Sequence, residues 1–198
     1  TTDKKNILVG TKKGLFYYTL ADGNLISYSQ ELSTVHCNVL LKDSQQRIWL
    51  GTSGQGLVCI MPNGIIKQNI LPGHTIRSAI ELSDRTLYLC IDNQGFGRFI
   101  PTTEQFEKVT EVPEISSFAV YQLIPYEKDC LAGIGQKGWF IYNYKKKKYR
   151  FFPTSHTCNS ILTDNQKQIW IGLEDGLLLW NPNTEQQKTC LLYTSPSP

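Results

Sequence analysis

The chain has 198 residues, of which 40% are hydrophobic and 19% charged, and its formal net charge is +3. This composition excludes a disordered tail and a coiled coil, and no apolar run approaches the roughly 18 residues of a membrane span. The charge is too mild to indicate nucleic-acid binding, so we expect neither nucleic acid nor direct membrane insertion among its interactions. The first residues show no apolar signal region and no initiator Met. We therefore expect that a leader was removed or that the chain starts within a longer protein.

A repeat organises the chain from its first strand to its last. Five apolar segments each precede a short polar turn, a glycine and a second apolar strand. The segments are Ile7–Thr11, Ile48–Thr52, Leu87–Ile91, Cys130–Ile134 and Ile169–Leu173. The glycines that follow them are Gly14, Gly56, Gly95, Gly138 and Gly176. The period is about 40 residues, the size of a four-stranded propeller blade.

The strand chemistry agrees with blades that are covered on both sides. Segments of the Ile48-Trp-Leu-Gly type are rich in β-branched and aromatic residues and are apolar on both faces. We therefore predict an all-β chain, a β-propeller of four-stranded antiparallel blades. The predicted blades, of which the first and last are partial, are 6–31, 35–72, 75–112, 116–153 and 156–189.

About four to five blades are fewer than most propeller rings contain. Because the first and last blades are partial, we predict an incomplete arc of a larger ring. The alternative is a small closed ring in which the two partial blades merge into one.

Two of the blades carry a recognisable motif. Asp43-x4-Ile48-Trp-Leu-Gly-Thr52, followed by Gly54-x-Gly-Leu57, resembles the two-component regulator propeller repeat, and Asp164-x4-Ile169-Trp-Ile-Gly172 repeats it. The third and fourth blades depart from the motif, with Cys90 in place of the glycine and Leu131 in place of the tryptophan.

The resemblance implies a seven-bladed propeller in the periplasmic sensor region of a hybrid two-component histidine kinase. In that family such regions sense saccharides. The partners implied are an oligosaccharide ligand, the remaining blades and signalling domains of the parent chain, and a second copy in a homodimer. The location implied is the periplasm.

The last nine residues, Cys190–Pro198, resemble a translated sequencing-library adapter. We therefore expect the native propeller to cover 1–189 and 190–198 to be a non-native tail. The alternative is a genuine outer strand over 190–194 followed by a linker.

Polar residues at the start of the predicted inner strands are the candidate ligand contacts. Asn38, Arg77 and Asn159 each begin an inner strand, where a propeller opens to its central channel, and could bond sugar hydroxyls or a carboxylate. His36 lies beside the first of them, and Trp139 is a candidate stacking partner. The alternative is that the asparagines cap turns through their own backbone.

The sequence carries no catalytic signature, no C-x-x-C pair and no histidine spacing typical of a metal site. We expect no cofactor, no metal and no catalysis, and we expect the cysteines to be buried free thiols. Besides a sensor, the alternatives are a structural or protein-interaction propeller and, less favoured, a propeller lyase.

Overall fold

The computed structural model describes residues 6–116 and 119–191. Residues 117–118, near the start of the predicted fourth blade, and residues 192–198 of the predicted tail lie outside this range. The described chain is built from antiparallel sheets, which confirms the all-β prediction. It divides into two compact units: one of Thr1–Asp92 with Arg98–Glu107, the other of Asn93–Gly97 with Lys108–Pro198.

Each sheet is one blade, numbered here in chain order. Blade 1 has three described strands and blades 2 to 5 have four each. Blades 1 and 2 contain β1 (Asn6–Thr11), β2 (Gly14–Thr19), β3 (Leu25–Ser27), β4 (Cys37–Lys42), β5 (Ile48–Thr52), β6 (Leu57–Ile60) and β7 (Ile66–Ile70). Blade 3 contains β8 (Ile76–Glu81), β9 (Leu87–Ile91), β10 (Gly95–Ile100) and β11 (Gln105–Lys108).

The remaining strands form blades 4 and 5. They are β12 (Val120–Pro125), β13 (Cys130–Gly135), β14 (Gly138–Asn143), β15 (Lys148–Pro153), β16 (Cys158–Thr163), β17 (Ile169–Leu173), β18 (Gly176–Asn181) and β19 (Gln186–Leu191). A short 3-10 helix, Gln30–Leu32, and one turn of α-helix, Pro113–Ser116, are the helical elements of the described chain.

The middle strands are buried as their apolar sequences predict. Every residue of β9 is buried, as is every residue of β6. A strand with one face in solvent would alternate between buried and exposed residues. This pattern therefore means that both faces of each strand are covered. In the first unit, one core lies between blades 1 and 2 and a second between blades 2 and 3. The core of the second unit lies between blades 4 and 5.

The last blade differs from its prediction. We expected its outer strand to be barely begun, but β19 pairs with β18 along six residues, from Asn181 with Gln186 to Gly176 with Leu191. The described residues of β19 are mostly polar and exposed, so no apolar alternation marks it in the sequence. Outer strands bury little, which is why the pattern failed here. The assignment of Cys190–Pro198 as a non-native tail stays a prediction.

The register of blade 4 corrects the repeat alignment by one residue. Val120 pairs with Gly135, as Cys37 pairs with Thr52 in blade 2. The residue at the tryptophan position is therefore Ala132, and Leu131 precedes it. Ala132 lies in the same buried core as Trp139 and Trp180.

All six cysteines are free thiols, but Cys37 and Cys130 are only half-buried and Cys190 is exposed, so the predicted burial holds for the other three. Cys59, Cys90 and Cys158 are buried, and burial raises the pKa of each thiol. Among the described residues, no helix is both long enough and apolar enough to span a membrane.

Candidate functional site

The innermost strand of every four-stranded blade carries a β-bulge near its start. The register shifts between Cys37 and Val39, Ile76 and Ser78, Val120 and Gln122, and Cys158 and Ser160. The residues at the bulges are Asn38, Arg77, Tyr121 and Asn159. A bulge leaves one residue out of the ladder and redirects its side chain. Three of the four are exposed, whereas Tyr121 packs against the core between blades 4 and 5.

Asn38 is held by both blades 2 and 3. Its Nδ2 donates to the carbonyl of Ile76 at 3.1 Å, and its Oδ1 accepts from the hydroxyl of Ser53 at 3.2 Å. The asparagine therefore bonds the neighbouring blade and does not cap its own turn. His36 is half-buried, and its carbonyl accepts the backbone N–H of Ser53 at 3.0 Å, which places it beside this network.

Arg77 forms a bidentate pair with Asp92 on the adjacent strand end. Its Nη2 donates to Oδ2 at 2.9 Å, and its Nε donates to the other carboxylate oxygen. The side chains are 43% and 25% exposed. A planar guanidinium paired in this way is held in a fixed orientation. Ile76, which accepts the Asn38 amide, directly precedes Arg77, so the structure brings these two predicted residues together.

A second polar position, which the sequence reasoning missed, follows the second strand of each blade. In each four-stranded blade, the backbone N–H of this residue donates to the carbonyl of the residue directly before the inner strand. The residues are Ser53, Asp92, Gln136 and Glu174. Their common place directly after the repeated apolar segment is the signal that could have found them. Tyr121 was missed because blade 4 lacks the motif and carries neither Asn nor Arg at the bulge.

The second unit holds the other predicted residues in separate environments. Asn159 is exposed at its bulge. Trp139 is fully buried in the core between blades 4 and 5. Its ring stacks on Phe152 with centroids 4.0 Å apart and meets Trp180 edge to face at 5.5 Å. The indole therefore presents no face to a ligand.

The described residues contain no group of three or more His, Cys, Asp or Glu side chains arranged to hold a metal ion. His156 instead pairs with one carboxylate, Nδ1 to Oδ2 of Asp175 at 3.3 Å. The bulge positions carry amides, a guanidinium and a phenol, and the second polar position adds a hydroxyl, an amide and two carboxylates. This set can exchange hydrogen bonds with a polyhydroxylated ligand.

Solved structures with the same fold come from sensor proteins and from an enzyme. One is the extracellular domain of a protein named as a hybrid two-component system of B. thetaiotaomicron, with TM-score 0.80, 18% identity, and coverage of 100% of this chain and 27% of that chain. A second such domain from that organism has TM-score 0.78, 16% identity, and coverage of 96% and 28%. Virginiamycin B lyase from Staphylococcus aureus has TM-score 0.66, 13% identity, and coverage of 100% and 72%.

These neighbours confirm the β-propeller fold and agree with the resemblance to the two-component regulator propeller repeat. The chain spans little more than a quarter of the two extracellular domains, 27% and 28%. No model of a known protein family matches the sequence, and no curated protein matches it either.

Proposed function

We propose that the chain is a ligand-sensing propeller segment from the extracytoplasmic part of a hybrid two-component sensor, that it responds to saccharides, and that it is not catalytic. The observation that carries the proposal is the polar residue at each inner-strand bulge. The likeness of fold to extracellular domains of hybrid two-component systems supports the sensor assignment. The same likeness supports a periplasmic location.

The chemistry of the bulge positions fits sugar hydroxyls. Amide groups such as that of Asn38 both donate and accept, and the Arg77–Asp92 pair offers N–H donors beside carboxylate acceptors. These groups are held by bonds to neighbouring strands, so little ordering is needed when a ligand arrives. Ligand binding then favours one arrangement of the complete sensor over another.

Isothermal titration with a panel of oligosaccharides tests the proposal. Asn38→Ala and Arg77→Ala should each weaken binding of the saccharide that the chain recognises by about tenfold. Arg98→Ala is the matched control, since Arg98 is an exposed arginine of the same unit whose ion pair with Glu107 is long, at 3.8 Å. Equal affinity in all four proteins would refute the assignment of the bulge residues.

The sensor assignment has its own test. The complete reading frame should encode further blades followed by a membrane span and kinase segments. A reading frame without them, together with no saccharide bound by the chain, would favour a structural or protein-interaction propeller.

A further inference from the structure

A groove between blades 1 and 2 has a volume of about 270 Å³ and lies entirely within the first unit. It opens beside Lys42 at the end of β4, whereas Asn38 lies at the start of that strand. With a rise of about 3.3 Å per residue, the two positions are roughly 13 Å apart. The groove is therefore separate from the residues at the bulges.

The groove exists because blade 1 lacks the tryptophan of the repeat. Gly10 pairs with Leu15 as Gly51 pairs with Leu57, so Leu8 stands at the register position of Trp49. In blade 2 the indole fills the space toward blade 3 and meets Phe99 edge to face at 5.5 Å. Leu8 is smaller, and the volume that an indole would fill is left open.

The lining combines apolar surface with a pair of aromatic rings. Leu8, Ile48 and Ile60 belong to the core between blades 1 and 2 and form the apolar side of the groove. Tyr17 and Tyr28 also line it, with ring centroids 5.1 Å apart. Aromatic and aliphatic side chains of this kind pack against the face of a ring-shaped ligand.

Two polar groups of the lining lack a partner in the described part of the chain. Asn6 Oδ1 is buried and accepts no hydrogen bond. Lys42 is exposed, and its ammonium forms no ion pair with any described residue. A buried acceptor without a donor is costly unless something satisfies it, and the nearby cation favours an anionic group.

We propose that this groove binds a single sugar ring that carries a carboxylate. The carboxylate pairs with the ammonium of Lys42, a ring hydroxyl donates to Oδ1 of Asn6, and the ring face packs against the tyrosine pair. The volume of about 270 Å³ lies just below the usual range for ligand pockets, about 300–1,000 Å³, which limits the occupant to one ring. The site lies apart from the bulge residues and does not depend on their proposed role.

The experiment titrates the whole chain with D-glucuronate, D-glucose and 4-hydroxybenzoate. Calorimetry and saturation-transfer NMR measure the binding. Leu8→Trp restores the repeat residue and fills the groove, so it should abolish D-glucuronate binding. Lys42→Gln, at an exposed position, should weaken it about tenfold, and D-glucose should bind the unchanged chain about tenfold more weakly than D-glucuronate. Lys12→Gln is the matched control, since Lys12 is an exposed lysine of the same unit that does not line the groove, and it should leave D-glucuronate binding unchanged.

Several results would overturn the proposal. No D-glucuronate binding to the unchanged chain would do so, as would undiminished binding to folded Leu8→Trp. Binding of 4-hydroxybenzoate without D-glucuronate would overturn the sugar assignment. If Leu8→Trp loses its β-sheet circular dichroism, the variant has not folded and Lys42→Gln becomes the test. Unchanged affinity of Lys42→Gln for D-glucuronate would then count against the site. A loss caused by Asn38→Ala alone would assign the binding to the bulge residues instead.

Discussion

The indole nitrogen of Trp49 donates a hydrogen bond of 2.8 Å to Oδ2 of Asp43, six residues earlier in the chain. The other oxygen, Oδ1, accepts the backbone N–H groups of Gln45 and Arg47, each at 2.9 Å. Asp43 and Trp49 are both buried. One carboxylate therefore closes the turn between β4 and β5 and orients the ring that fills the space between blades 2 and 3.

The same arrangement recurs in blade 5. Oδ2 of Asp164 accepts from the indole of Trp170 at 2.9 Å, and Oδ1 accepts from the backbone of Gln166 and Gln168. The Asp-x4-Ile-Trp motif thus has a physical cause. The spacing is the one that lets a single carboxylate satisfy both the turn and the indole.

Replacing Trp49 tests the energetic role of this arrangement. Trp49→Phe removes the donor to Asp43 and leaves a cavity, so the free energy of unfolding should fall by about 2–3 kcal/mol. Trp170→Phe removes the same hydrogen bond at a half-buried position and should cost about 1 kcal/mol. Urea denaturation followed by circular dichroism measures both. Equal losses would mean that burial of the ring contributes nothing beyond the hydrogen bond.

The carboxylate of blade 5 predicts a pH dependence. The hydrogen bond from Trp170, followed by those from the backbone of Gln168 and Gln166, lowers the pKa of Asp164. A carboxyl whose folded pKa lies below its unfolded pKa binds protons more readily when unfolded. Its stabilising contribution is therefore complete above the unfolded value, about 3.9, and is lost as the pH falls through the folded value.

Thermal melts between pH 7 and pH 2.5 measure this contribution. The melting temperature of the unchanged chain should fall more steeply below about pH 4 than that of Asp164→Asn, which has no proton to gain. Parallel curves would show that Asp164 is not a source of the acid sensitivity.

The sequence predicted those parts of the fold that repeated side chains mark. It did not predict the parts that depend on backbone pairing or on exposed strands. Trp49 and Trp170 mark their blades because burial selects large rings at fixed spacing. The outer strand β19 escaped prediction because its described residues are polar and exposed. The shift that places Ala132 at the tryptophan position comes from the pairing register, which residue types alone do not encode.

The candidate site was predicted only in part. Asn38 and Arg77 were identified from their place at the start of inner strands. The bulges that redirect them are backbone features, and so is the position that Ser53 and Asp92 share. Trp139 looked available in the sequence, but in the folded chain it is fully buried in the core between blades 4 and 5.

The thiols predict an order of chemical modification. Cys190 is exposed, whereas Cys90 is fully buried and burial raises its pKa well above the usual value. Because the thiolate is the reactive form, iodoacetamide at pH 8 should modify Cys190 first. Cys59, Cys90 and Cys158 should react only after unfolding, and peptide mass spectrometry over time follows each site. A chain unfolded in guanidinium is the control, and modification of native Cys90 as fast as Cys190 would contradict the burial described here.

Substituting the two glycines of the β5–β6 turn distinguishes the cost of a steric clash from the cost of backbone strain. Gly54 and Gly56 have φ values of +79° and +75°, a region that L-residues rarely adopt. A Cβ on Gly56 would lie 2.2 Å from the carbonyl oxygens of Ile70 and Leu71, while a Cβ on Gly54 would meet nothing within 4 Å. Gly54→Ala should therefore cost only the conformational strain, about 1 kcal/mol.

Gly56→Ala adds the clash with backbone atoms, which cannot rotate away as a side chain can. The turn must shift, and the hydrogen bond from the Gly56 N–H to the carbonyl of His74, 2.8 Å long, should weaken with it. That bond joins blade 2 to the segment leading into blade 3. The free energy of unfolding should thus fall by about 3 kcal/mol or more. Urea denaturation of both variants gives the comparison, and a Gly56→Ala loss no larger than that of Gly54→Ala would show that the turn relaxes freely.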